Sequence, residues 1–121
     1  MNDAIHKELK VWQKAMDLVE EVYRLTNELP KDEVYGLVNQ LRRAVISIPS
    51  NIAEGNARIS KKEYAHFLSI ARGSKSEVET QLEICERLGF LELSQTEVAR
   101  GLCDELGRIL SALIKKLSSS P

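Results

Sequence analysis

The chain has 121 residues, enough for one ordinary domain with one core. Hydrophobic residues at 43% and charged residues at 29% describe a chain that packs in water, and they exclude a disordered, collagen-like or disulfide-rich scaffold. Its 17 Lys and Arg against 18 Asp and Glu give a formal charge of −1, which disfavours a generic polyanion-binding domain, while aromatics at 5%, six Gly and three Pro favour helix over a turn-rich β fold.

From about residue 8 to residue 29, Trp12, Ala15, Met16, Val19, Val22 and Tyr23 recur at the spacing of one helix face. A second line, Val11, Leu18, Leu25 and Leu29, widens that face to about half the circumference, so the first helix is expected to touch more than its own bundle. Pro30 stops it. Asp32 is placed to cap a second helix over about 33–55, with the stripe Val34, Leu37, Val38, Leu41, Ala44, Val45, Ile48 and Ile52. Pro49 removes the backbone bond to residue 45, yet the periodicity resumes at Ile52, so this helix is expected to bend at Pro49 rather than end.

Gly55 to Ile59 break the pattern, and Ser60 with Glu63 makes an S-x-x-E capping box for a third helix over about 61–88. Its core face is Tyr64, Phe67, Leu68, Ala71, Val78, Leu82 and Cys85, and Gly89 stands where a C-terminal cap belongs. Ser94 and Glu97 form a second box, opening a fourth helix over about 95–117 with Val98, Leu102, Leu106, Ile109, Leu113 and Leu117 inward. The tail from Ser118 to Pro121 is expected to fray. Four helices on short connections imply an all-α, up-down-up-down antiparallel four-helix bundle, with residues 1–121 as a single domain.

Within that bundle Gln40, Arg43, Ser47, Asn51 and Glu54 fall on one flank of the second helix. Antiparallel pairing around the next turn brings Ser74, Glu77 and Gln81 toward them. The expectation is a structural polar network that fixes helix register, with an Arg43 to Glu77 ion pair at its centre and the small Gly73 and Ser74 letting the backbones approach.

Glu63 and His66 match the E-x-x-H spacing of di-iron bundles, but a second such motif and two further inward glutamates are lacking, so a surface pair is the better reading. Cys85 and Cys103 lie in helical patterns, without C-x-x-C spacing, and read as reduced core thiols. No G-x-S-x-G, P-loop or G-x-G-x-x-G occurs, so no catalytic residue, cofactor or metal is expected. No apolar run reaches the length of a membrane span and the first residues lack a signal-peptide core, which points to a cytoplasmic protein without a membrane segment.

Topology makes the charge informative. One end gathers Lys7, Lys10, Lys14, Arg58, Lys61, Lys62, Lys115 and Lys116 against Asp3, Glu8, Glu54 and Glu63. The other gathers ten acids, among them Glu20, Glu28, Glu83 and Glu92, against Arg24, Lys31, Arg87 and Arg100. A near-neutral total thus conceals a basic pole and an acidic pole.

Tyr35-Gly36-Leu37, Gln40, Arg42-Arg43-Ala44, the run SIPSNIAEG from Ser47 to Gly55, Phe67-Leu68, Ala71-Arg72-Gly73-Ser74 and Glu77 resemble the four-helix bundle proteins encoded within intervening sequences of bacterial 23S ribosomal RNA, also called S23 ribosomal proteins. The similarity runs from about Trp12 to Leu91; the fourth helix adds only generic periodicity. The resemblance implies a ring-shaped homo-oligomer, a pentamer, with the broad face of the first helix available for subunit contacts and no known enzymatic activity. It also implies an association with RNA, and the related accessory protein of diversity-generating retroelements is a basic pentamer that binds a reverse transcriptase and nucleic acid. The near-neutral charge of this chain departs from that relative and confines phosphate binding to one basic end. Two expectations follow. The first is a non-enzymatic oligomer that contacts structured RNA through Arg58, Lys61, Lys62 and the lysines beside them. The alternative is a ring-shaped scaffold that recruits a protein partner, a nucleic-acid enzyme such as a reverse transcriptase.

Overall fold

The computed structural model describes residues 5–119, and among them it contains four α-helices and no strand. These are α1 (Lys10–Thr26), α2 (Leu37–Asn56), α3 (Lys61–Arg87) and α4 (Leu93–Ser118). Each helix packs on its neighbour in sequence, α1 closes against α4, and the backbones of the two diagonal pairs stay further apart. The four apolar stripes therefore face one shared core. Leu18, Leu25, Leu41, Ile48, Ile52, Leu68, Leu82, Leu106 and Leu110 are its largest fully buried side chains, each contributing about 1.5–3 kcal/mol of burial free energy.

Residue pairs fix the directions of the packed helices. Between α2 and α3, Gln40 meets Gln81, Ser47 meets Ser74, and Gly55 meets Tyr64 and Phe67, an antiparallel order. Between α3 and α4, Glu86 meets Thr96, Lys75 meets Gly107 and Arg72 meets Ser111, again antiparallel. At the C-terminal end of α1, the Arg42 guanidinium lies 4.3 Å from the Tyr23 ring centre and donates to Thr26 Oγ1 at 2.9 Å and Asn27 Oδ1 at 3.2 Å. The 3₁₀ turn Ile5–Glu8 that precedes α1 also touches α2.

The helix ends follow local chemistry. α1 stops at Thr26, short of Pro30, because the next residues coil more tightly: Glu28 N–H donates to the Leu25 carbonyl and Leu29 N–H to that of Thr26, which still buries Leu29. Asp32 caps nothing. Residues Lys31–Glu33 form a 3₁₀ turn and Gly36 is the N-cap of α2, so Val34 and Tyr35 are exposed, at 49% and 92%, rather than part of the stripe. α2 then runs unbroken through a buried Pro49.

Ser60 caps α3 as its capping box leads one to expect, its Oγ accepting from Glu63 N–H at 3.0 Å. At the other end Gly89, with φ +77°, closes a Schellman motif in which its N–H donates to the Glu86 carbonyl and Phe90 N–H donates to that of Cys85. α4 begins two residues earlier than expected. Its N-cap is Glu92, whose N–H donates to Gln95 Oε1 at 2.8 Å, an E-x-x-Q arrangement that displaces the one expected at Ser94 and Glu97. The inward line of α4 is Thr96, Ala99, Cys103, Leu106 and Leu110, and Val98 is 60% exposed. Ser118 is helical, and Ser120 and Pro121 of the expected frayed tail lie outside the described residues.

Candidate functional site

Glycine sets the α2–α3 register. A Cβ on Gly55 would lie 2.9 Å from both Phe67 Cβ and Tyr64 Cδ1 and 3.2 Å from the Tyr64 carbonyl oxygen, so the end of α2 seats directly on the second turn of α3. Counting outward from the α2–α3 turn with both helices level would pair Ser47 with Ile70 and Gln40 with Glu77, but the seating of Gly55 moves each pairing by one helical turn: Ser47 faces Ser74, and Gln40 faces Gln81. The Arg43 to Glu77 pair is consequently absent. Both side chains are exposed and neither makes an ion pair among the described residues.

What forms instead is a hydroxyl and amide ladder. The Ser47 and Ser74 hydroxyls lie 2.9 Å apart, Asn51 Nδ2 donates to Ser47 Oγ at 2.9 Å and to its carbonyl at 2.8 Å, and Gln81 Nε2 reaches Gln40 Oε1 at 3.4 Å. Glu54 takes no part in it and pairs with Arg58 at 2.9 Å. Gln40, Arg43, Ser47, Ser74, Glu77 and Gln81 together line a groove of about 370 Å³ between the two helices, so six of the eight residues expected in a network share one concavity.

The basic end divides into engaged and open side chains. Arg58 is held within the protein by Glu54, by Glu63 at 3.8 Å and by the Phe67 ring at 4.9 Å. Lys14 pairs with Glu105 at 3.5 Å. Lys7, Lys10, Lys62, Lys115 and Lys116 are exposed and make no ion pair among the described residues, and Lys61 is exposed at the start of α3.

A second groove, of about 690 Å³, runs between α3 and α4 and is lined by Ser69, Arg72, Gly73, Lys75, Ser76, Asp104, Gly107, Arg108 and Ser111. Three cations face one carboxylate there. Arg72 donates to Ser111 Oγ at 3.3 Å, Lys75 pairs with Glu79 at 2.9 Å, and Arg108 has no acidic partner among the described residues. Gly73 belongs to this groove rather than to the α2 contact, since a Cβ on it would meet nothing within 4 Å. Arg72 and Arg108 are the residues that reading the chain by its ends misses. Their spacing carried a signal, because Lys61 and Arg72 are eleven apart and Arg108 and Lys115 seven apart, the intervals that repeat one helix face.

Other chemistry-bearing residues lie apart from both grooves. Glu63 is committed to Ser60 and Arg58, His66 is exposed beside the Phe67 ring, and among the described residues no group of three His, Cys, Asp or Glu could hold a metal ion. Cys85 and Cys103 are free thiols buried in the core, and burial pushes them up from 9.0 to about 11 and about 12, with Glu33 and Glu79 adding to the respective shifts. No described helix is long and apolar enough to cross a membrane.

A solved protein of unknown function from the S23 ribosomal protein family of Bacteroides thetaiotaomicron VPI-5482 has the same fold, with a TM-score of 0.80 and 24% identity over 87% of this chain and 98% of that one. A comparison with curated proteins finds no match. The family model for the 23S rRNA-intervening sequence protein matches residues 7–112, which takes in all of α1, α2 and α3, both grooves and most of α4. The chain therefore belongs to the 23S rRNA-intervening sequence protein family.

Proposed function

We propose that the protein is a non-enzymatic, self-associating bundle that contacts structured RNA through its basic end and the adjoining α3–α4 groove. The observation that carries this reading is the arrangement of Arg72, Lys75 and Arg108 around a groove whose antiparallel register leads on to the start of α3 and, along the Arg108 face of α4, to Lys115. Phosphate neutralisation by Lys and Arg is the main source of RNA affinity, and a groove with cations on both walls tracks a phosphate backbone better than scattered surface lysines do. The small Ser69, Gly73, Ser76 and Ser111 leave the groove floor open to that backbone, while Lys75 lies over Gly107. RNA is the polyanion that the resemblance leads one to expect. No enzymatic family is indicated.

The test is fluorescence anisotropy with a labelled RNA hairpin across a salt series. Arg72→Glu with Arg108→Glu should weaken binding at least about tenfold and lower the salt slope by about 1 per phosphate contact removed. Arg58→Gln should change it little, given that its guanidinium is already engaged. Affinity unchanged in the groove variant would overturn the reading. The scaffold alternative draws support from Leu88, Leu93 and Val98, which are 57%, 64% and 60% exposed around the α3–α4 connection at the acidic end. A nuclease-resistant protein partner lost on Leu93→Glu with Val98→Glu would favour that second reading.

A further inference from the structure

Single-stranded RNA is held largely by stacking its unpaired bases on aromatic rings, whereas a duplex keeps its bases stacked on one another and offers phosphates and ribose hydroxyls. None of the six aromatic residues of this chain lines the α3–α4 groove. Tyr64 and Phe67 sit against Gly55 of α2, and the Arg58 guanidinium covers the Phe67 ring at 4.9 Å. Tyr23 lies under Arg42 of α2, Trp12 meets the His6 ring edge-on at 5.3 Å, and Phe90 packs on the core. Tyr35 is open, at 92% exposure, but it stands just before α2, the end of the bundle where Gln40 meets Gln81 and the opposite end from Lys115. The exposed His66 ring meets that of Phe67 edge-on and is likewise outside the groove.

The cations of the groove are carried by two packed helices. Arg72 is tied across it to Ser111 at 3.3 Å, and Lys75 is held over Gly107 while pairing with Glu79 at 2.9 Å. Arg108 lies one turn from Ser111 on the same wall, and Lys115 follows on its face about 10 Å further along α4. The array is thus set before any ligand arrives, and it favours a phosphate backbone that is itself preset. A single strand must first be ordered, an entropic cost that this groove has no ring to offset.

We infer that the α3–α4 groove takes RNA in its double-helical form, gripping phosphates without reading base sequence; this rests on the reading of the groove as an RNA contact. Arg72 and Arg108 meet phosphates from opposite walls, and the hydroxyls of Ser69, Ser76 and Ser111 reach phosphate and ribose oxygens between them. The deep, narrow major groove of an A-form helix keeps its base edges out of reach of side chains, so affinity follows salt and duplex length rather than sequence.

The experiment is fluorescence anisotropy on the purified full-length protein with labelled RNA duplexes of about 20 base pairs, slightly longer than the span of a small double-strand-binding domain. Two duplexes differ only in sequence, and an unpaired oligouridine with the same number of phosphates is the single-stranded probe. The duplexes should bind alike within about threefold, well short of the discrimination of a sequence reader, and at least about tenfold more tightly than oligouridine, which finds no stacking ring. An arginine plane also stacks on unpaired bases, and Arg72→Lys with Arg108→Lys separates that role from phosphate contact, since lysine keeps the charge and lacks the plane. This variant should retain the duplex affinity within about threefold, while Arg72→Glu with Arg108→Glu should lower it by at least about tenfold. Oligouridine bound as tightly as duplex, duplexes that differ by more than about tenfold, or a lysine variant as weak as the glutamate one would each overturn the inference while leaving RNA binding in place. Binding to none of the three probes would overturn the RNA reading itself, and the inference with it.

Discussion

Glycine inside a helix costs about 0.5–1 kcal/mol relative to alanine, and the two glycines of the α2–α3 sequence signature bear that cost for opposite reasons. At Gly55 the neighbours of an added Cβ are Phe67 Cβ and the Tyr64 carbonyl, which are backbone or next to it and cannot swing aside. At Gly73 the added atom meets nothing. Gly55→Ala should therefore lower unfolding free energy by about 1–3 kcal/mol through overpacking, whereas Gly73→Ala should raise it by up to about 1 kcal/mol through helix propensity. Urea unfolding of the two variants checks this. Equal signs would show that Gly55 does not set the register.

The buried thiols make a second prediction at this scale. Cys85 and Cys103 have folded values near 11 and 12, raised from 9.0 by burial, so the native state holds their protons more tightly than the unfolded chain does. Their stabilisation is whole below pH 9 and declines as pH rises from about 9 through the folded values, because only the unfolded thiols then ionise readily. Thermal midpoints measured from pH 8 to 10.5 should fall more steeply for the native protein than for a Cys85→Ala, Cys103→Ala variant. Parallel curves would mean that the thiols ionise equally in both states.

At the scale of elements, what was legible in the sequence was whatever is written in neighbouring residues. The cap at Ser60 and the cap at Gly89 act over three or four residues and form where read, although the Glu63 carboxylate accepts from the Ser60 hydroxyl instead of closing the box on the Ser60 N–H. The start of α2 failed because Val34 continues the apolar spacing while Gly36 interrupts the helix, and periodicity alone does not register that interruption. α4 offered two overlapping boxes, and the residues from Ser94 to Glu97 fit the common pattern better than those from Glu92 to Gln95, although the latter forms. Val98 lies outward for a separate reason, since the line Thr96, Ala99, Cys103, Leu106 and Leu110 takes the core face of α4.

The larger miss was register. Counting outward from the α2–α3 turn assumes that both helices end level, but Gly55 seats on Tyr64 and Phe67 and leaves the first turn of α3 projecting beyond α2. A displacement of one turn preserves which faces meet and changes which residues do. Six of the eight residues of the polar flank thus line one groove, while Glu54 goes to Arg58 and the Arg43 to Glu77 pair does not form. The α3–α4 groove was only half legible for the same reason: spacing puts Arg72 and Arg108 each on the face of a terminal lysine of its own helix, but the register that brings the two faces together is encoded in no local pattern. Arg42, adjacent in sequence to Arg43, goes instead to α1, where it holds Tyr23, Thr26 and Asn27.

For the whole molecule the question is what covers the surface that the core leaves over. Trp12, Met16, Val19 and Tyr23 stay half-buried after the bundle closes, and their spacing of four, three and four is that of a coiled-coil seam. A seam of this kind offers a second protomer a ready-made ridge, and in a closed ring the α3–α4 grooves of all copies repeat around one axis. Light scattering on nuclease-treated protein should accordingly give the mass of several protomers, five if the family resemblance extends to ring size. Met16→Glu with Val19→Glu should return it to one protomer with helicity retained, because both side chains are already partly in solvent. The same variant separates assembly from RNA contact. If several grooves engage one RNA, the monomeric form should lose affinity by about 10²–10⁴, even though Arg72 and Arg108 are intact, because linked sites gain their strength from effective concentration rather than from new contacts. Affinity equal in the monomer and the oligomer would mean that a single groove carries the binding, and a single-protomer mass for the unsubstituted protein would remove the ring altogether.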